Sequence, residues 1–281
     1  MPHLFCFGFG FSMRALAREL PGWKITGTRR SPVGLAMVRA LGADAVGFDG
    51  SAPLPQGALD GVTHLLISAP PSEKGDPVLG MMGDEIARRA GQFAWTGYLS
   101  TTGVYGDHGG DWVDEDCALN PAGIRGARRV AAEAAWRAVL PGIHHFRLAG
   151  IYGPGRNALA SLRMGTARRI VKEGQIFSRV HAHDIAGVLK ASMAKPNPGR
   201  DYNVCDDEPC PPQDVITYAA GLLGLAPPPL EDFAAAKLSP MAASFYGESK
   251  RVSNARVKAE LGYQFAYPSY REGLLALLER A

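Results

Sequence analysis

The stretch that decides the fold is Leu4-Phe5-Cys6-Phe7-Gly8-Phe9-Gly10-Phe11-Ser12-Met13. Its first four residues are apolar without a polar break, as in a short strand covered on both faces. Gly8 and Gly10 interrupt the run, and Ser12–Leu20 then reads as a helix. A buried strand that turns through glycines into a helix opens a βαβ unit. Glycines at these two positions allow a tight turn and a close backbone approach to a pyrophosphate. The helix start adds free N–H groups and the positive end of its dipole. Met13 stands where the usual pattern has a third glycine, so the spacing alone is a weak signal. Its place between the first strand and the first helix is what strengthens it. A glycine turn that serves packing only is the plain alternative.

Outward from this turn, short apolar runs alternate with longer amphipathic ones. Lys24–Gly27, Ala45–Phe48, His64–Ala69, Tyr98–Thr102 and His144–Leu148 read as further strands. Helices are expected around Pro32–Leu41, Gly83–Phe93 and Pro121–Val139. The alternation predicts an α/β fold, a doubly wound parallel sheet with helices on both faces, of the Rossmann type. After about residue 150 the rhythm loosens: Gly153-Pro154-Gly155 breaks the chain, and prolines punctuate the C-terminal part. Helices still read at Asp184–Met193, Gln213–Leu223, Asn254–Leu261 and Ser269–Glu279. The expected division is a nucleotide-binding domain over 1–153. A smaller C-terminal substrate lobe over 154–281 is partly interleaved with it.

Composition narrows the function classes. The 281 residues are 46% hydrophobic and 20% charged, enough apolar material for a sizeable core and no signature of disorder. The net charge of +3, from 30 basic and 27 acidic residues scattered along the chain, argues against nucleic-acid and membrane partners. No apolar run reaches the length a membrane helix needs. The start lacks the basic region and cleavage site of a signal peptide. Cys6, Cys117, Cys205 and Cys210 show no C-x-x-C spacing, so free thiols in a reducing cytoplasm are expected.

The end of the second strand chooses between cofactors. An NAD-preferring site places a carboxylate there to hold the ribose 2′-hydroxyl. Here the sequence is Gly27-Thr28-Arg29-Arg30-Ser31, with two guanidinium groups and no acid. Arginine forks pair with a 2′-phosphate, so NADP(H) is the expected cofactor. Gly8, Gly10, Phe11, Ser12 and Met13 at the turn and Thr28, Arg29 and Arg30 are the expected binding residues. Asp49 after the third strand and Ser68, Ala69 and Pro70 after the fourth complete the set.

Several segments, in order, resemble the extended short-chain dehydrogenase/reductase family, the NAD(P)-dependent epimerase/dehydratase group. They are Gly8–Met13, Ser100-Thr101-Thr102-Gly103-Val104-Tyr105-Gly106-Asp107, Glu115, Pro121 and the helix ending in Glu133. Arg147–Gly155, Val180–Ala186, Tyr202-Asn203-Val204 and Lys250–Tyr263 complete the series. The likeness spans nearly the whole chain, and the Ser68-Ala69-Pro70-Pro71 turn is most similar to the family's atypical members. The resemblance implies that Thr101 hydrogen-bonds the reacting oxygen. It also implies a Tyr-x-x-x-Lys pair on the next helix, on one helix face, to supply the proton. Counting back from Glu133, those two places fall on Arg125 and Arg129. Arginine does not deprotonate in proteins, so neither can act as general acid or base.

Arg125 is therefore expected to bind an anionic group of a small-molecule substrate and Arg129 to grip the cofactor; a merely solvated helix face is the alternative. Tyr105, Tyr152 and Arg156 lie in motif segments and are weaker substrate candidates. His181-Ala182-His183-Asp184 reads as structural rather than as a metal site, with Asp184 near a helix cap. Two functions survive: an NADP(H)-dependent oxidoreductase or epimerase-like enzyme, and a catalytically silent NADP(H)-binding redox sensor. The resembling family often dimerises through the Pro121–Val139 helix, which carries three arginines here, so monomer and homodimer both stay open.

Overall fold

The computed structural model describes residues 1–279. The elements run β1 (His3–Phe7), α1 (Phe11–Glu19), β2 (Lys24–Arg29), α2 (Pro32–Arg39), β3 (Asp44–Gly47), β4 (His64–Ile67), α3 (Pro77–Arg88), β5 (Trp95–Thr101) and β6 (Trp112–Val113). Then come α4 (Ile124–Val139), β7 (His144–Leu148), β8 (Gly150–Tyr152), α5 (Ala158–Arg163), β9 (Arg169–Val171), β10 (Arg179–His181) and α6 (Ala182–Ala194). The chain continues through β11 (Asp201–Val204), α7 (Pro212–Leu222), β12 (Leu230–Asp232), α8 (Pro240–Phe245), β13 (Arg251–Val252) and α9 (Tyr270–Glu279).

Seven strands form the central parallel sheet in the order β11-β7-β5-β4-β1-β2-β3. The chain builds outward from β1 in one direction and then returns to its other side, which makes the sheet doubly wound. The reversal falls between β1 and β4, paired in parallel from Leu4–His64 to Phe7–Ile67. In open α/β sheets the crevice beyond the strand ends at this point is where ligands bind. All six strands expected from the sequence are in the sheet. The seventh, β11, is only four residues long and has no alternating pattern of its own.

By compactness the chain divides into two units. The first comprises 1–101, 127–147 and 185–202, the second 102–126, 148–184 and 203 onward. The core of the first packs Phe5, Phe7, Leu65, Ile67 and Tyr98 of the sheet against Val78, Met82 and Ile86 of α3 and Trp136 of α4. The core of the second gathers Leu159, Val215, Ala219, Tyr270 and Leu274 from α5, α7 and α9. Helix α3 starts six residues before the expected Gly83. Asp76 accepts from Val78 N and Leu79 N at 2.8 and 3.2 Å, and Pro77 sits in the first turn, where its missing N–H costs nothing. The indole of Trp136 donates to the other Asp76 oxygen at 3.0 Å, tying the α3 start to α4.

The segment expected as a helix at Asn254–Leu261 forms a π-helical turn over Val257–Leu261, closed by Gly262 at φ +67°. The four cysteines are free thiols. No helix among the described residues is long and apolar enough to cross a membrane.

Candidate functional site

The site begins at the glycine turn. Gly8 leaves β1 at φ +92°, and a Cβ there would stand 2.7 Å from the backbone nitrogen of Ala69, the second residue after β4. Glycine is therefore required twice over, for the left-handed conformation and for the approach of β1 to β4. Gly8 N donates to Thr28 Oγ1 at 2.8 Å and Phe9 N to Thr28 O at 3.0 Å, so the end of β2 holds the turn from one side. Ser68 N and Ala69 N donate to Phe7 O at 2.8 and 2.9 Å and hold it from the other. Pro70 comes next, exposed.

Gly10 caps α1 in an extended conformation, and a Cβ on it would meet no atom nearer than Gly8 O at 4.0 Å. The space in front of Gly10 is open, and no acidic side chain lies in the first turn of α1. An anion approaching there meets the helix N–H groups and no opposing charge, which fits a dinucleotide pyrophosphate. Met13, at the missing third glycine, is fully buried: its side chain has turned into the core, away from that space. Ser12 is buried as well, while Phe11 stays half-exposed with the Arg14 guanidinium 5.5 Å over its ring.

A cavity of about 160 Å³ opens beside the turn, lined by Phe9, Gly10, Phe11, Arg14, Arg29 and the α2 residues Met37 and Val38. Arg29, the last residue of β2, donates from Nη1 to Phe9 O at 3.3 Å. Thr28 is buried and acts through the turn it braces. Arg30 is exposed, and its charge acts on Asp49. The Asp49 carboxyl is held below its ordinary range, chiefly by hydrogen bonds from Ser51 Oγ and N at 2.6 and 2.9 Å, with Arg30 adding to them.

Thr101 ends β5 half-buried. Arg129, on α4, turns inward onto the same strand: Nη1 donates to Leu99 O at 2.5 Å and to Tyr98 Oη at 3.0 Å, with the guanidinium over the Tyr98 ring at 5.4 Å. Burial pushes the Tyr98 phenol far up, and the charge of Arg129 offsets part of that. Arg129 thus braces β5 close to Thr101. Arg125 lies exposed over the Phe245 ring at 5.2 Å. Gly126 beside it allows close packing on the turn after β5, since a Cβ there would come within 2.5 Å of Gly103 O.

The remaining sequence candidates have mainly structural surroundings. Tyr105 is fully buried and donates to Asn203 Oδ1 at 2.8 Å. Tyr152 donates to Ser269 O at 3.3 Å, and burial with nearby Asp206 and Asp184 pushes its phenol far up. Arg156 is exposed beside the Gly153–Arg156 backbone bridge. Asp184 lies in the first turn of α6, near the helix start as expected, and its carboxylate accepts from Tyr263 Oη, Ala266 N and Tyr267 N at 2.8, 2.7 and 3.2 Å. Lys250 is buried, with Nζ donating to Gly106 O and Glu248 Oε2 at 2.6 Å each.

Glu133, His145 and Asp201 bring ligand atoms within 4.8 Å of one another, a spacing a metal could use. Arg147 enters that space, donating to Glu133 Oε2 at 2.9 Å and Asp201 Oδ2 at 3.0 Å, and Arg137 reaches Asp201 Oδ1 at 2.5 Å. Two guanidinium groups already neutralise the two carboxylates, so the cluster is a buried ion-pair network. Sequence reasoning missed Arg14. Its signal was its position four residues after Gly10, in the first turn of a helix whose side chains slant back toward the N-terminus.

No family model matches the chain. A solved structure of a conserved protein of unknown function from Silicibacter pomeroyi is 57% identical, with a TM-score of 0.95 over 100% of this chain and 99% of that one. A structure assigned to the NAD-dependent epimerase/dehydratases, from Methylobacillus flagellatus, is 28% identical, with a TM-score of 0.73 over 99% and 98% of the two chains. Human epimerase family protein SDR39U1, solved with NADPH, shares the fold at 20% identity and a TM-score of 0.75, over 99% of this chain and 100% of that one. With the strand order and the glycine turn, these likenesses agree with the resemblance to the NAD-dependent epimerase/dehydratases of the extended short-chain dehydrogenase/reductase group.

Proposed function

We infer that the protein is an NADP(H)-dependent oxidoreductase or epimerase-like enzyme of the atypical extended type. Its substrate is a small polar or anionic carbonyl or sugar-type compound. The observation that carries the cofactor reading is the end of β2. Arg29 lines the cavity beside the glycine turn at the place where an NAD-preferring site puts a carboxylate. The NADPH of the human epimerase family protein, which shares the fold, is in keeping with this choice.

When bound, the nicotinamide supplies the hydride chemistry, and the chain supplies position and charge. Gly8 and Gly10 admit the pyrophosphate, Arg29 takes the 2′-phosphate, and Thr101 donates to the reacting oxygen. Arg125, exposed and permanently charged, holds an anionic group of the substrate by a two-pronged contact. Arg129, at the family's lysine place, acts through β5 and keeps Thr101 in register. In this reading residues 1–153 hold the cofactor and supply Thr101 and Arg125, and 154–281 complete the substrate side. The protein works in the cytoplasm as a monomer or homodimer.

The second reading, a silent NADP(H)-binding sensor, is favoured by the same Arg129. Its Nη1 already serves Leu99 O and Tyr98 Oη, and neither helix arginine can exchange a proton at neutral pH. Turnover separates the two. NADPH oxidation is followed against a panel of small carbonyl compounds, carboxylated ketones and sugar nucleotides, for wild type and Thr101→Ala. The enzyme reading predicts turnover that the variant loses while NADPH affinity is kept. Tight NADPH binding with no turnover across the panel supports the sensor instead.

A further inference from the structure

From the sequence, the 2′-phosphate falls to the adjacent arginines Arg29 and Arg30. The cavity beside the glycine turn is built differently. Its two guanidinium groups belong to Arg29 and Arg14; Arg30 is not among its walls, and none of its seven lining residues is acidic. The two arginines arrive from different elements. Arg29 comes from the end of β2 and is steadied by the Phe9 carbonyl at 3.3 Å. Gly34 on α2 leaves room for it, since a Cβ at that place would meet Arg29 Nε at 2.7 Å.

Arg14 comes from α1. Its backbone N–H donates to Gly10 O at 3.2 Å, closing the first turn, and its side chain lies back over that turn onto the Phe11 ring. This contact with Phe11 limits the rotamers of a long side chain that also lines the cavity. Arg30, one residue after β2, is exposed and electrostatically engaged with Asp49. The cavity volume of about 160 Å³ is several times the ~30 Å³ share of one water, enough for a phosphoryl group.

We propose that Arg14 and Arg29 form the 2′-phosphate clamp, that Arg14 sets the preference for NADPH over NADH, and that Arg30 takes no part. The proposal rests on the NADP(H) reading above and adds the residue that discriminates. A phosphate dianion between two forks makes charge-assisted bonds that a bare 2′-hydroxyl cannot match. NADH, which lacks that group, gains little from either arginine.

The test is equilibrium titration of the full-length protein with NADPH, NADH, adenosine 2′,5′-bisphosphate and ADP. Wild type is compared with Arg14→Leu, Arg14→Lys, Arg29→Leu and Arg30→Leu, with thermal unfolding as the check on folding. Arg14→Leu and Arg29→Leu are each expected to weaken NADPH and the 2′,5′-bisphosphate by about tenfold or more. NADH and ADP should change less than about threefold, and Arg14→Lys, which keeps charge but loses the fork, should fall between. Arg30→Leu should leave all four ligands within about threefold of wild type. NADPH affinity unchanged in both Arg14 variants but lost in Arg30→Leu would overturn the clamp and leave the NADP(H) reading intact. A wild-type protein with no preference for the 2′-phosphorylated ligands would overturn both.

Discussion

The glycine turn and the start of α4 both carry half-buried arginines, and the two regions use them in opposite ways. At the turn, Arg29 forms part of a cavity wall and gives one Nη1 contact to Phe9 O. On α4, Arg129 lies against the neighbouring strand, bonded to Leu99 O and Tyr98 Oη. A guanidinium carries five N–H donors in a fixed fork, so what matters is where the fork points. Toward a cavity free of acids it waits for an anion; toward a strand's backbone it is a brace. The same residue type, at neighbouring parts of a family pattern, does ligand work in one place and structural work in the other.

The sharpest way to probe the braced side is Glu133→Gln. The carboxylate is buried and accepts from Arg147 Nη2 at 2.9 Å. The amide keeps the shape but leaves a buried guanidinium with one charge partner fewer. Asp201 still offers its own oxygen to Arg147, which puts the loss near the lower end of such cases, about 3 kcal/mol. Urea unfolding measures it; a loss below about 1 kcal/mol would mean that the network does not brace α4.

On the turn side, Gly8→Ala and Gly10→Ala should differ sharply. Gly8 combines φ +92° with a 2.7 Å approach to Ala69 N, so alanine there should cost about 2–4 kcal/mol of stability. Gly10 has extended backbone and open space before it, so Gly10→Ala should unfold within about 0.5 kcal/mol of wild type. That variant should still weaken NADPH by about tenfold, because its methyl enters the space kept for the pyrophosphate. Equal stability losses in the two variants would contradict the turn's geometry.

Smaller effects separate the two α4 arginines. Arg129→Ala should cost about 1–3 kcal/mol by removing the charged donor from Leu99 O and Tyr98 Oη. Arg125→Ala removes an exposed contact with Phe245 and should cost only about 0.5 kcal/mol. Turnover, where a substrate is found, should fall more in Arg125→Ala than the stability change explains. Thermal melts and KM for that substrate check both; equal stability losses would erase the distinction between brace and ligand group.

The sequence made the local signals legible and the tertiary ones much less so. The β1-turn-α1 opening and Arg29 at the end of β2 could be read because each is carried by adjacent residues. The start of α3 could not: Pro77 and Gly80 read as breakers until the Asp76 cap and its bond to Trp136 are seen. Strand β11 gains its identity from the sheet it joins rather than from any period of its own. Arg14 was hidden because its neighbour in the cavity, Arg29, is fifteen positions away and the two line one cavity only in the folded chain. The inward turn of Arg129 was equally invisible, since helical spacing gives a face but not which acceptor waits there.

The central claim is that the arginine-lined turn selects the 2′-phosphorylated cofactor. Calorimetric titration of the wild-type protein with NADPH and with NADH, at one ionic strength, tests it most directly. Binding of NADPH at least about tenfold tighter than NADH is the result predicted from the charge-assisted contacts to the extra phosphate. Equal affinities, tighter NADH, or no binding of either would contradict it.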